Sequence, residues 1–190
     1  MFICSGFFFS SIRNRFCVNV EILAMKNIAT LFLVAFVLVI SASAQSAKVS
    51  PGDLKKLEGD KWVGNLTYLD YKSKKPTSIM SNVTITRSKT DKLTWIFDMD
   101  YPLERGANSK DEVKLSADGM TLDGETVIER TKSPDGTLRI VTTKKGKDDN
   151  RESTFRHTYL INKKTFSMRK EVKFDGDAEF FERNTYAWTR

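Results

Sequence analysis

The segment 155–172, FRHTYLINKKTFSMRKEV, decides the fold of this chain. Apolar and polar residues alternate on both sides of Asn162-Lys163-Lys164-Thr165, the pattern of two half-buried strands joined by a short polar loop. A loop over those residues sets Ile161 opposite Phe166, Tyr159 opposite Met168, His157 opposite Lys170 and Phe155 opposite Val172. The apolar residues of both strands then share one face, as a sheet with one buried side requires.

The same period extends outward. Strands are predicted over 61–71, 77–87, 92–101, 111–117, 120–130, 137–145, 152–161, 165–174 and 178–189. Within 92–101, Leu93, Trp95, Phe97, Met99 and Tyr101 fall on one side and Thr94, Asp98 and Asp100 on the other. A two-residue type I′ turn at Asp118-Gly119 puts Ala117 opposite Met120, Leu115 opposite Leu122 and Val113 opposite Gly124. Ser50 followed by Pro51 opens a short helix over 51–57. An open sheet of this many hairpin-linked strands exposes two edges. The expected fold is therefore all-β, a single antiparallel up-and-down meander closed into a barrel of about 8–10 strands with a short N-terminal helix. A β-sandwich is the alternative.

Ahead of this domain, Met25-Lys26-Asn27 is followed by an apolar run, Ile28 to Ile40, and by Ser41-Ala42-Ser43-Ala44-Gln45. A charged head, a run shorter than the roughly 18 residues of a membrane span, and small residues at Ala42 and Ala44 describe an export signal. Residues 25–44 are expected to be removed after Ala44, leaving a domain over 45–190 with no membrane anchor. Residues 1–24, with Cys4 and Cys17, read as a mis-assigned start.

The whole chain carries 31 basic and 24 acidic residues in 190. Removing Arg13, Arg15, Lys26 and Glu21 with the leader leaves 28 and 23, well interspersed, so a mixed solvated surface is expected and no nucleic-acid partner. No cysteine follows Ala44. Small secreted eukaryotic domains usually carry disulfides, so the expected source is bacterial and the expected address periplasmic or secreted. Asn65-Leu66-Thr67 and Asn82-Val83-Thr84 match the glycosylation pattern but read as ordinary strand residues in that setting.

Leu57-Glu58-Gly59-Asp60-Lys61-Trp62-Val63-Gly64, after a short helix and opening the first strand, resembles the Gly-x-Trp start of lipocalins and their calycin relatives. Arg183-Asn184-Thr185-Tyr186-Ala187-Trp188-Thr189-Arg190 resembles the closing strand that packs against it. Here two residues separate Gly59 from Trp62 where the family has one, and the family's Thr-Asp-Tyr loop is missing. The resemblance implies that Trp62 plugs the closed end of the barrel, with Arg183 or Arg190 stacked on it, and that a small apolar ligand is bound.

Catalytic and metal motifs are scarce. One histidine, no cysteine in the exported part, no Gly-x-Ser-x-Gly and no phosphate-binding glycine loop make an enzyme unexpected, and no cofactor or metal is expected. Asp148-Asp149-Asn150 lacks the alternating spacing of a calcium loop and reads as a turn. Haem ligation by His157 is a minor alternative.

His157 and Lys170 sit on the face otherwise held by Phe155, Tyr159, Met168 and Val172, and charged groups seldom point into a core alone. A three-residue loop Asp175 to Asp177 places Glu182 opposite Lys170 and Phe166 opposite Tyr186, whereas a two-residue Asp175-Gly176 turn pairs Arg169 with Glu182 outside. Both remain open at this level. The expected function is a lipocalin-like binder of a small apolar or amphipathic molecule, lined by Trp95, Phe97, Met99, His157, Tyr159, Lys170 and Tyr186. The alternative is a filled barrel acting as an envelope interaction or inhibitor protein through surface loops, Pro102 to Lys110 above all.

Overall fold

A computed structural model describes residues 47–59, 61–70 and 72–190. The leader and its cleavage point lie outside the described residues. The chain enters through helix α1 (Pro51–Leu54) and a 3-10 turn (Lys55–Leu57), with Ser50 as N-cap and Pro51 in the first turn. The Ser50 N–H and Oγ–H both donate to Asp53 Oδ2, at 2.7 and 2.9 Å, which holds the short helix together. Leu54 and Leu57 face inward and are buried.

Ten strands follow: β1 (Trp62–Asp70), β2 (Lys75–Arg87), β3 (Thr94–Asp100), β4 (Ser109–Lys114), β5 (Thr121–Leu122), β6 (Glu125–Lys132), β7 (Leu138–Asp148), β8 (Arg151–Ile161), β9 (Thr165–Phe174) and β10 (Phe181–Thr189). They form one antiparallel sheet in the order β4-β3-β2-β1-β10-β9-β8-β7-β6-β5. First and last strands pair in its middle, so the two edges belong to the consecutive strands β4 and β5. A Leu115–Leu122 bridge and the Asp123 N–H to Lys114 C=O bond of 2.7 Å draw those edges together. The result is a nearly closed up-and-down barrel in place of a sandwich.

The β8–β9 register is the expected one, pairing Ile161 with Phe166, Tyr159 with Met168, His157 with Lys170 and Phe155 with Val172. On β3, Trp95, Phe97, Met99 and the following Tyr101 are all buried.

Three expectations are corrected. The predicted strand 120–130 is two strands, β5 and β6, because Asp123 and Gly124 both adopt positive φ (53° and 70°) and form a two-residue turn with Leu122 opposite Glu125. That is the type I′ pattern. At Asp118-Gly119 only Gly119 has positive φ, since the Asp118 carboxylate accepts the Ser116 hydroxyl and the Met120 N–H and the loop widens to 117–120. Leu115 still meets Leu122, but Val113 pairs with Trp95 and Met120 is exposed. Finally, Asp175-Gly176 does turn, the Asp177 N–H donating to the Phe174 carbonyl at 3.0 Å, but neither strand register foreseen at Asp175 follows from it. Residues 175–180 loop out, Phe180 packs beneath the Arg156 guanidinium at 4.1 Å, and β10 carries a register shift between Glu182 and Asn184. Lys170 consequently faces Asn184, Phe166 faces Trp188, and Glu182 accepts the Thr185 hydroxyl.

The closed end is filled. Trp62 is fully buried and its Nε1–H donates to the Leu57 carbonyl at 2.9 Å, fastening the barrel to the 3-10 turn. Arg190, not Arg183, lies over the Trp62 ring at 4.1 Å and donates to the carbonyls of Lys56, Glu58 and Lys163. Arg183 instead reaches the Leu69 carbonyl and Asp148. Asp53 receives a two-point ion pair from Arg130 at 2.7 and 2.9 Å, tying α1 to β6. From there an aromatic column runs through the barrel: Trp62 edge-on to Phe166 (6.0 Å), Phe166 on Trp188 (5.0 Å), Trp188 on Tyr186 (4.9 Å).

β1 and β10 approach closely at Gly64, where a Cβ would lie 1.9 Å from the Ala187 carbonyl oxygen. Only glycine fits there. Asn82 is buried and donates to Asp100, while Asn65 is exposed on β1. No helix among the described residues is long and apolar enough to cross a membrane.

Candidate functional site

Between the aromatic column and the opposite end of the barrel lies a cavity of about 300 Å³. Its apolar wall is Phe97, Met99 and Val113 from β3 and β4, Tyr159 and Met168 from β8 and β9, and Tyr186 from β10. The strand period brings these together: each is on the inward face of a separate strand or of paired positions. Tyr101, Ser109, Asp111, Asp123, Glu125, Lys144 and His157 supply the polar wall.

Of the seven residues expected to meet a ligand, Phe97, Met99, His157, Tyr159 and Tyr186 line this cavity and Trp95 and Lys170 do not. Trp95 is at the closed end, fully buried, with its Nε1–H donating to Glu58 Oε1 at 2.9 Å. Lys170 lies over the Phe155 ring at 4.2 Å and 3.9 Å from Asp148 Oδ1, within a second small cluster of Phe155, Val172 and Phe174. Burial pushes its ammonium below the usual lysine range, with Asp148 opposing and Arg183 and Lys144 adding to the effect.

The residue that sequence reasoning missed is Glu125, 2 % exposed at the cavity wall. Uninterrupted alternation through 120–130 puts it with the outward residues. The two-residue turn at Asp123-Gly124 resets the parity, because Leu122 must then face Glu125 across the hairpin. The second Asp-Gly pair was the available signal.

Glu125 is the hub of the polar wall. The His157 Nδ1–H donates to its Oε2 at 2.7 Å, the Thr142 hydroxyl donates to the same oxygen, and Lys144 Nζ is 3.0 Å from Oε1. Burial alone would raise this carboxyl. The hydrogen bond and charge of His157, then Thr142 and Lys144, outweigh it and hold the group down to about 2. Burial, helped by the negative charges of Glu125 and Asp123, pushes the Tyr159 phenol upward. Burial and the 2.9 Å hydroxyl contact with Tyr101 do the same for Tyr186. Both phenols are therefore neutral hydrogen-bonding groups in the physiological range.

The Glu125–His157 pair also orients the imidazole. Among the described residues the one hydrogen bond of the His157 ring is that to Glu125. Asp149 and Asn150, both at positive φ, make the tight β7–β8 turn, and among the described residues no three His, Cys, Asp or Glu converge to hold a metal ion.

No protein-family model and no curated protein sequence matches the chain. The class defined here is thus an architectural one: a nearly closed, ten-stranded antiparallel barrel that fits the calycin-like fold in general.

Proposed function

We propose that this protein is an exported, lipocalin-like binder that holds a small, largely apolar molecule inside its barrel. The observation that carries the reading is the 300 Å³ cavity walled by Phe97, Met99, Val113, Tyr159, Met168 and Tyr186. Ligand sites are mostly apolar concavities with a few converging polar groups, and about 300 Å³ is at the small end of their range. Export rests on the apolar run Ile28 to Ile40 and on Ala42 and Ala44. The exported chain is proposed to act in the periplasm or outside the cell, free of a membrane anchor, by binding and not by catalysis.

Calorimetric titration with octanol, a neutral amphipathic probe of suitable size, tests the reading. Saturable one-to-one binding that Val113→Trp removes by filling the cavity is the expected result. Absence of saturable binding, or binding indifferent to Val113→Trp in a folded variant, would exclude the cavity as a ligand site.

One observation favours a second reading, in which the surface is the working part: Leu103, in the segment 101–108 between β3 and β4, is 80 % exposed. An envelope protein or inhibitor acting through this loop would lose its partner on Leu103→Ser, while octanol binding would not change.

A further inference from the structure

The outer face of the barrel carries a second concavity, of about 370 Å³, over β7 to β10. Strand parity puts it outside, because His157 and Tyr159 line the interior cavity and Thr158 between them must point the other way. The register then sets Arg169 beside Thr158 and Thr185 beside Arg169. On the next outward rung Arg139 and Ser167 flank Leu160.

Two donors at this place lack acceptors. Thr158 is only 4 % exposed and lines the concavity, yet its hydroxyl has no hydrogen-bond partner among the described residues. The buried Nε–H of Arg169 is in the same condition. A guanidinium N–H can only donate, and a buried charged donor left unpaired is costly. No neighbouring carboxylate answers it. Glu171 stands 3.8 Å from Arg169 Nη2, but its two oxygens already accept from Arg156 at 2.8 and 3.0 Å. Glu129 is held by Arg139 Nε at 3.1 Å and by the Thr131 hydroxyl. Glu182, exposed at the rim, accepts the Thr185 hydroxyl at 2.8 Å.

The lining therefore sets two guanidiniums against one carboxylate, with the Thr158 and Ser167 hydroxyls between them and the exposed side chain of Leu160 alongside. It is short of negatively charged acceptors. An ammonium would face two cations here, and a hydrocarbon would leave the donors unpaired. The oxygens of a phosphate or carboxylate match the planar arginine forks and supply what the floor lacks.

We propose that this outer face binds an oxyanion, the phosphate or carboxylate group of a small molecule, between Arg139 and Arg169, with its deepest oxygen accepting from the Thr158 hydroxyl and the Arg169 Nε–H. The guanidinium of Arg169, on a side chain 43 % exposed, turns its fork to the ligand as it arrives. The site is separate from the interior cavity and does not depend on a ligand being held there.

Nitrogen-15 spectra that resolve the arginine Nε–H signals test it, during titration of the protein with inorganic phosphate, with acetate and, at matched ionic strength, with chloride. The Arg169 and Arg139 signals are expected to shift saturably with an oxyanion and not with chloride, and the tighter of phosphate and acetate names the group. Thr158→Val keeps the side chain's shape without its hydroxyl. It should weaken the tighter oxyanion while leaving stability equal to wild type or higher, since an unpaired polar group is gone. Arg169→Lys keeps the charge without the fork and should weaken that ion about tenfold, as read from Arg139, the usual loss for a hydrogen bond to a charged group. Arg139→Gln, at the rim, serves in place of either variant that does not fold. Equal responses to chloride and to both oxyanions, or an oxyanion affinity that the variants retain, overturns the proposal.

Discussion

His157 Nδ1 and Glu125 Oε2 stand 2.7 Å apart across the interior of the barrel, joining β8 to the first residue of β6. Thr142, on the strand between them, donates to the same oxygen, so three neighbouring strands are bound together at one carboxylate. This arrangement has a pH dependence of definite sign. The Glu125 carboxyl is held down to about 2 in the folded protein, against an ordinary 4.5. Its contribution is complete above the unfolded value and is lost as pH falls from there toward 2, a term of about 3 kcal/mol. Urea melts of wild type and Glu125→Gln at pH 6 and pH 2.5 check it. The wild type should lose more stability over that interval than the variant does, and parallel losses would show that Glu125 does not carry the dependence.

At the opposite end, Trp62 is fully buried under the 3-10 turn and beneath Arg190. Trp62→Ala should cost about 3–5 kcal/mol, the range for deleting a large buried aromatic. Arg190→Ala, which removes a stacked cation and its donors to three carbonyls, should cost about 1–3 kcal/mol. Arg183→Ala should leave the near-ultraviolet dichroism of the tryptophans as it is, because Arg183 is directed at Leu69 and Asp148. Chemical denaturation of the three variants gives the ranking, and an Arg190→Ala protein as stable as wild type would contradict the closing role of Arg190.

Gly64→Ala tests the seam where the first and last strands meet. The added methyl would be 1.9 Å from the Ala187 carbonyl oxygen, a backbone atom held on both sides by the sheet. A loss at the upper part of the 1–3 kcal/mol range for overpacking, or about that size, is expected. Amide exchange should speed up first along β1 and β10. A variant that melts with the wild type would mean that the seam can open.

Lys170→Met addresses the cation that the sequence puts beside His157. Methionine keeps the contact with Phe155 while removing an ammonium that burial disfavours. Octanol affinity is expected to match wild type, with stability changed by less than about 1 kcal/mol. Loss of binding with unchanged stability would place Lys170 in the site after all.

Processing is a separate matter of chemistry at Ala42 and Ala44, the small residues that follow the apolar run. Amino-terminal sequencing of protein recovered from the exported fraction should begin at Gln45. A product retaining residues 25–44 on a membrane would overturn the proposed address.

What the sequence determined by itself is whatever depends on local period and on turns with a single solution. Alternation in 92–101 and 155–172 dictated which residues point inward, and the Asn162 to Thr165 loop set the β8–β9 register without help from the rest of the chain. Ser50 and Pro51 marked the helix start for the same local reason. Tertiary structure decided what local rules leave degenerate. Two Asp-Gly pairs lie five residues apart, and only the competition of Asp118 for the Ser116 hydroxyl and the Met120 N–H left the tight turn to Asp123-Gly124. That choice shifted Glu125 to the inner face and created the polar wall. The packing of Phe180 under Arg156 likewise displaced β10 from either simple register and left Lys170 to Asp148 in place of Glu182. In a sheet a one-residue slip exchanges the two faces, so a site built from seven strands depends on every turn between them.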